Sequence, residues 1–357
     1  MRALVIGTGF YGCEIASRLE SLGVDFDMLD RRDDFFSESS SKNQNRLHFG
    51  GFHYCRSHVT RVECRRGYDV FFEKYPEFSK QVDSYYLVSR KSVLDFETYV
   101  SIFLYEKSPF LVESLDDLCN RNIYLEQTSF HGNRVVLVKE RWIDFKKIRE
   151  HFKKRFGNKL LKFDETKLKV SDDKKNITFD GQEYDTLFDA TYGKLFPLNN
   201  SFFELCITLI YKSNQVDTSF RKTAITVVDG DFFSLYPYDV ENDLYTLTHV
   251  KQTPMISSKV ISEVEDFQKS VNETQVLEKR VLIEKDVSSY WTNFLDTFTY
   301  TDYFLSTKTK FNDVLTADRS IREQTRGNVV SVCGGKITGS FDVKEVVDRT
   351  LRNYGKI

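Results

Sequence analysis

Two groups of residues in this chain are able to do chemistry. The first is Gly7-x-Gly9-x-x-Gly12, set between a short apolar run (3–6) and a helical pattern, with Asp30 closing the next apolar run (26–29). The second is the stretch 43–58, which gathers Asn43, Asn45, His48, His53, Tyr54, Cys55, Arg56 and His58 around Gly50-Gly51. The glycines and the acid suit the holding of a dinucleotide. The imidazoles suit proton transfer near neutral pH. Metal ligation by the three histidines is disfavoured, because no carboxylate or cysteine sits at ligand spacing and His53 and His58 do not share the i, i+4 relation of a helical zinc pair.

Each part of the first group has a physical task. Gly7 permits a tight turn, Gly9 leaves the backbone open to a pyrophosphate, and Gly12 lets the helix lie close to the sheet. The helix N-terminus then presents unpaired N–H groups and a positive dipole end to the phosphates. Asp30 follows at close to the roughly 20-residue spacing of a carboxylate that accepts ribose hydroxyls. The motif does not name the dinucleotide. Arg31 and Arg32 would suit a 2′-phosphate and hence a nicotinamide cofactor, or equally a solvated turn. A nucleotide-free βαβ unit is the structural alternative.

The elements that must position these residues follow from periodicity. Residues 31–57 lack a clear period, and a loop of that length inside a compact domain is usually functional. Residues 59–75 predict an amphipathic helix with Val62, Tyr68, Phe71 and Phe72 inward and Arg61, Arg65 and Arg66 outward. Strands are expected at 85–89, 122–126 and 135–138, the last two separated by the turn His131-Gly132-Asn133. Helices are expected at 95–105 and 142–156. Short strands at 168–170, 176–179 and 186–189 lead to Thr191 and Gly193. From 204 to 249, alternating β-branched and aromatic residues predict an antiparallel sheet. A long helix over 257–285 and another at 290–298 come next. The chain closes with a strand (328–332), a second glycine turn at Gly334-Gly335-Lys336-Ile337-Thr338, and a helix over 342–353 capped by Ser340.

The totals bound the class. The 357 residues suffice for two domains. A net charge of −2 without single-sign blocks gives no electrostatic footprint for nucleic acid. No apolar stretch is long enough for a membrane span, and six scattered cysteines fit reduced thiols in a cytoplasmic protein. Most of the 31 Phe and 19 Tyr belong to core and sheet surfaces.

Four separated pieces together resemble the D-amino-acid-oxidase-type FAD oxidoreductases, nearest the glycerol-3-phosphate and L-2-hydroxyglutarate dehydrogenase branch. They are the N-terminal fingerprint with Asp30, NQNRLHFGGFHY (43–54), FDATYG (188–193) and GGKITG (334–339). The loop is similar to the branch's N-x-x-x-x-H-x-G-x-x-Y pattern, here Asn43 or Asn45, His48, Gly50 or Gly51, and Tyr54. Three departures stand against this. Asp30 replaces the commoner glutamate, no arginine clearly precedes the last strand, and Phe311 rather than proline follows Lys310.

The resemblance implies an α/β (α+β overall) fold: a Rossmann-like FAD-binding domain (1–84, 145–200 and 306–357) with a second, antiparallel-sheet substrate domain inserted (85–144 and 201–305). It implies FAD as cofactor, held by Gly7, Gly9, Phe10, Tyr11, Gly12, Asp30, Arg31, Asn43, Asn45, Arg46, Leu47, Thr191, Gly193, Gly334, Gly335, Lys336, Ile337 and Thr338. Catalysis would fall to His48, Tyr54 and Arg56, and substrate binding to Tyr238, His249, Lys310 and Arg319. The reaction expected is hydride removal from a C–H beside an amine or hydroxyl of a small polar molecule. Oxygen, a quinone or a carrier would accept the electrons. Covalent flavin attachment through His48, His53 or Cys55 is left open. So are a redox-neutral flavin enzyme acting on a nucleotide sugar and a non-catalytic flavin scaffold.

Overall fold

The first strand, Arg2–Ile6, is buried along four of its five residues and lies at the centre of a six-stranded sheet. In the computed structural model, which describes residues 1–32, 34–215, 222–312 and 320–355, it pairs in parallel with Asp25–Asp30 on one side and Thr186–Asp189 on the other. Leu160–Lys162 extends one edge and Val329–Cys333 the other, both in parallel, and Arg322–Arg326 closes the sheet antiparallel. Strands buried on both faces read as continuous apolar runs, as VVSVC at 329–333 does. The helices Phe10–Ser21 and Val343–Arg352 cover one face and are tied by an ion pair, Arg18 Nε to Asp348 Oδ1 at 2.6 Å. A three-stranded meander, Leu168–Val170, Ile177–Phe179 and Gln182–Tyr184, leads back to Thr186–Asp189.

A second sheet of ten strands is mostly antiparallel. Its path runs from Pro254–Ser258 through Ser201–Ser213, Leu244–His249, Phe233–Asp239, Thr223–Val228, Ser79–Val88 and Val135–Ile143 to Arg46–Leu47. The long strand Phe298–Phe311 pairs along Ser201–Ser213, and Leu111–Glu113 pairs with Val135–Ile143. The α/β class with an antiparallel second sheet is therefore as the sequence predicts.

Several elements differ from the periodicity reading. Residues 31–57 are not wholly irregular: Arg46–Leu47 adds an edge strand to the second sheet, and a 3₁₀ turn spans Phe52–Tyr54. The helix expected at 59–75 is His58–Lys74, with Ser57 accepting from Thr60 N at its start, but its buried face is rotated. Val62 and Phe72 are 44% and 45% exposed, whereas Arg61 is only 7% exposed and pairs with Glu106. Gly67 explains the rotation. The C-terminal turn packs so close that a Cβ there would lie 2.2 Å from the Thr338 carbonyl oxygen.

The strand ending at 138 in the sequence reading continues to Ile143, and Asp144 caps the helix Phe145–Phe156. Residues 122–126 form no strand beyond a single bridge from Leu125 to Trp291. The long helix over 257–285 is instead the strand Pro254–Ser258 followed by two helices, Ile261–Ser270 and Glu273–Ser288, broken at a capping box of Asn272 and Gln275. The expected 290–298 helix shortens to Phe294–Thr297. Ser340 caps nothing; its hydroxyl is buried within a 3₁₀ turn, Thr338–Asp342, that leads into the last helix.

Gly12 meets backbone at very close range, since a Cβ there would sit 1.8 Å from the Gly7 carbonyl oxygen. Gly12→Ala is therefore expected to push the first helix off the strand and cost about 1–3 kcal/mol of stability. Gly157 has open space around it and an ordinary helical backbone, so Gly157→Ala serves as a control expected to leave stability unchanged or slightly raised. Equal thermal midpoints by circular dichroism for the two variants would contradict this packing account.

Candidate active site

At the end of the first strand, Gly7 has φ 102° and faces the turn Ala190-Thr191, whose carbonyl at Ala190 would lie 2.5 Å from an added Cβ. Gly9 stands at the N-terminus of the first helix. A Cβ on it would point at Ser40 Oγ, 2.5 Å away, and Phe10 N donates to that same oxygen at 3.2 Å. The loop containing Ser40 thus roofs a groove over the helix N-terminus. Asn43 braces the roof, its amide donating to the carbonyls of Ser39 and Ser40. Asp30 closes the groove's far side. Its Oδ2 accepts from Thr8 N at 3.0 Å and Thr8 Oγ1 at 2.7 Å, and its Oδ1 accepts from Arg32 N. Arg31 reaches across to Glu265 at 3.1 Å.

One cavity of about 810 Å³ runs from Asp30 past the helix N-terminus to the inner face of the second sheet. Thr191, Gly334, Gly335, Lys336 and Ile337 line its middle. Gly334 must be glycine, because Tyr11 packs where a Cβ would be, and the Tyr11 hydroxyl donates to the Lys336 carbonyl at 2.8 Å. Thr191 Oγ1 donates to Asp189, a buried carboxylate whose pKa is pushed up by burial.

At the inner end a buried polar cluster meets the cavity. Arg46, on the edge strand, sends Nε to within 3.3 Å of Glu140 and donates from Nη2 to Thr226 Oγ1 at 3.0 Å. Its Nη1 lies 3.2 Å from His53 Nδ1, and its guanidinium stacks 4.1 Å over the Tyr236 ring. His48 lies two residues on. Its Nε2 is 3.4 Å from Lys336 Nζ, and its Nδ1 is 3.7 Å from Glu140 Oε1. Lys336 also sits 4.2 Å over the Tyr54 ring.

Burial, reinforced by Lys336 and Arg46, holds His48 well below the ordinary imidazole value. Burial and then Arg46 do the same to His53. Burial with Arg46 nearby brings the Lys336 ammonium down to about 7. Near neutral pH the cluster therefore presents neutral imidazoles and an amine poised to change charge, which is the condition for moving protons.

The other expected site residues are placed unevenly. Arg56 lines the cavity mouth, its Nε bound to Asp229 Oδ2 at 2.6 Å. Lys310 lines it too, paired with Glu204 at 2.5 Å. His249 faces the cavity, but its ring is committed, Nε2 to Asp286 at 2.9 Å and Nδ1 to the amides of Lys251 and Gln252. Gly12, Asn45, Leu47, Gly193, Thr338 and Tyr238 do not line the cavity. Leu47 is in the core, Asn45 donates to the Tyr238 carbonyl, and the Tyr238 ring packs on Phe304. Arg319 lies outside the described residues. His58 is exposed beside Glu106, so the three histidines do not converge. Burial, with Asp229 nearby, pushes the Cys55 thiol up to about 12, which disfavours a thiolate there.

Residues absent from the sequence reading include Glu140, Thr8 and Lys194. The last is a cavity-lining lysine whose pKa is lowered by burial. A signal existed only for Thr8, as the residue between two motif glycines.

No family model matches the chain. It is 32% identical over 345 residues to FAD-dependent monooxygenase FPY4 of Fusarium mangiferae, covering 96% of this chain and 88% of that protein. The chain belongs to the FAD-dependent oxidoreductases. A second member, FAD-dependent monooxygenase kojA of Aspergillus flavus, is 25% identical over the whole of this chain and 88% of its own.

Among solved structures the fold of this oxidoreductase matches L-alpha-glycerophosphate oxidase from Mycoplasma pneumoniae, there with FAD bound. The TM-score is 0.72 at 11% identity over 98% of this chain and 94% of that one. Glycine oxidase from Geobacillus kaustophilus matches with a TM-score of 0.68 at 9% identity over 99% and 95%. These two likenesses concern the fold alone.

FAD is the cofactor, and the groove fits it. Gly9 leaves the helix N-terminus uncovered by any side chain of its own, as a pyrophosphate requires. The cavity then continues unbroken from Asp30 to Lys336. Asp30→Ala is expected to weaken FAD binding at least tenfold, about 1.4 kcal/mol, in a flavin-fluorescence titration. An unchanged affinity would remove Asp30 from the site.

Proposed function

We propose that this oxidoreductase removes hydride from a carbon bearing a hydroxyl or amine in a small polar substrate, an amino acid, hydroxy acid or sugar derivative. The observation that carries this reading is the neutral, buried imidazole of His48 facing the cavity beside Lys336. When bound, FAD supplies the two-electron acceptor. The chain's own contribution is to take the heteroatom proton and hold the substrate. His48 Nε2 accepts the proton from the hydroxyl or amine as the C–H bond breaks, and a C=O or C=N bond results. Tyr54 and Lys336 shape the wall next to that nitrogen. Arg56 with Asp229, and Lys310 with Glu204, offer paired charges to the polar ends of a substrate.

Oxygen, a quinone or a carrier then takes the electrons. Six unpaired cysteines support a cytoplasmic setting, and among the described residues no helix is long and apolar enough to cross a membrane.

A second reading is monooxygenation, favoured by the 32% identical relative that carries that name. The two readings separate cleanly. Under the first, a substrate bleaches the flavin anaerobically with no added reductant. Under the second, bleaching requires an external reductant, and labelled oxygen from O₂ enters the product.

His48→Ala is expected to keep FAD and slow flavin reduction by about 10²–10⁴-fold. Unchanged reduction in stopped flow would remove His48 from the mechanism. The wild-type rate should also rise with pH through about 7. Below that value Lys336 is an ammonium that donates to Nε2; above it the nitrogen is released to accept the substrate proton. A flat profile between pH 6 and 8, or one that falls, would contradict this assignment.

A further inference from the structure

The two ring nitrogens of His48 meet different partners. Nε2 faces Lys336 Nζ at 3.4 Å, and while Lys336 is an ammonium it has only protons to give, so in that state Nε2 accepts. The ring's own proton is thereby assigned to Nδ1, since the hydrogen bond at one nitrogen sets the state of the other. Nδ1 is buried and makes no hydrogen bond among the described residues, and the carboxylate nearest to it is Glu140, with Oε1 at 3.7 Å.

Glu140 is itself immobilised. It is fully buried on the strand Val135–Ile143, accepts from the Tyr86 hydroxyl at 2.9 Å, and lies 3.3 Å from Arg46 Nε. The remaining polar and charged groups around His48 are Arg46, His53 and Tyr54 from its own loop and Lys336 from the C-terminal turn.

We infer that Glu140 is a positioning residue whose carboxylate holds His48 as the Nδ1–H tautomer, leaving Nε2 bare toward the cavity. The inference rests on the reading of His48 as proton acceptor. When Nε2 takes the substrate's proton, the imidazolium carries protons on both nitrogens, and the carboxylate beside Nδ1 stabilises that charge. A carboxylate orients the histidine of a Ser-His-Asp triad by the same physics. Arg46, 3.3 Å away, holds Glu140 in place and so acts one step further out.

The test uses the FAD-loaded enzyme labelled with ¹⁵N-histidine, the His48 signals being assigned by their loss in His48→Gln. The expected ring spectrum shows a protonated Nδ1 and an unprotonated Nε2 at pH 6, where Lys336 is an ammonium, and keeps that tautomer at pH 8, where the carboxylate beside Nδ1 sets it. A wild-type His48 protonated at Nε2 overturns the proposal, whatever any variant does. In Glu140→Gln, flavin reduction is expected to slow about 10²-fold or more, with KM little changed, FAD retained and His48 a mixture of tautomers. Glu140→Asp, which restores the carboxylate, is expected to recover part of the rate. A Glu140→Gln enzyme with an unaltered His48 tautomer and an unaltered pH profile would reduce Glu140 to a structural role and sink the inference. Should Glu140→Gln fail to fold, the wild-type spectrum decides. The spectrum does not depend on turnover, so a failure of the reaction proposed above, seen as unchanged flavin reduction in His48→Ala, is read separately.

Discussion

The buried pair of Arg46 and Glu140 is the interaction on which the site depends. Neither side chain reaches solvent, and each belongs to a different part of the chain, Arg46 to the loop after Asp30 and Glu140 to the strand Val135–Ile143. Buried ion pairs contribute little net stability, but breaking one by removing a single partner costs about 3–5 kcal/mol. The pair's effect is therefore to fix register. It pins the edge strand Arg46–Leu47 against Arg141 and Trp142, which sets where His48 and Tyr54 emerge. Burial lowers the basicity of His48, His53 and Lys336, and the same guanidinium adds to it. One residue thus bears on both position and protonation.

The nucleotide end obeys a constraint of space instead of charge. Gly7, Gly12 and the turn at Ala190 approach so closely that any side chain there would meet backbone atoms. That contact brings the ends of three adjacent parallel strands and the first helix together at one edge of the cavity, where the ligand-binding crevice of an open α/β sheet is expected. The two halves meet through Lys336. Its backbone is held by Tyr11 from the first helix, while its ammonium reaches His48. A single turn thereby joins the groove to the proton-handling cluster.

How much of this was legible in the sequence follows from the range of the forces involved. The strand–glycine–helix unit and the helix Phe96–Tyr105 with its Asp95 cap are set by neighbours in the chain, and both read directly. The break at Asn272 is equally local, a capping box with Gln275, but apolar residues recur on both sides and mask it. The rotated face of His58–Lys74 was not legible, since it depends on Gly67 meeting the C-terminal turn about 270 residues later. Glu140 gave no local signal at all; only strand pairing brings it to Arg46 and His48. Tyr238 and His249 were singled out by residue type, but packing commits their rings elsewhere. The site's location was readable from glycines, and its charge relations were not, because they join residues far apart in the chain.

The most direct measurement is the visible absorption spectrum of the purified protein, taken before and after acid precipitation. The account predicts flavin bands at one FAD per chain that move to the supernatant, because burial keeps Cys55 a thiol and the groove between Gly9 and Asp30 offers FAD a non-covalent seat. A colourless protein that takes up no added FAD would contradict the reading of the glycine groove. Bands retained in the pellet would show a covalent bond and contradict the non-covalent cradle described here.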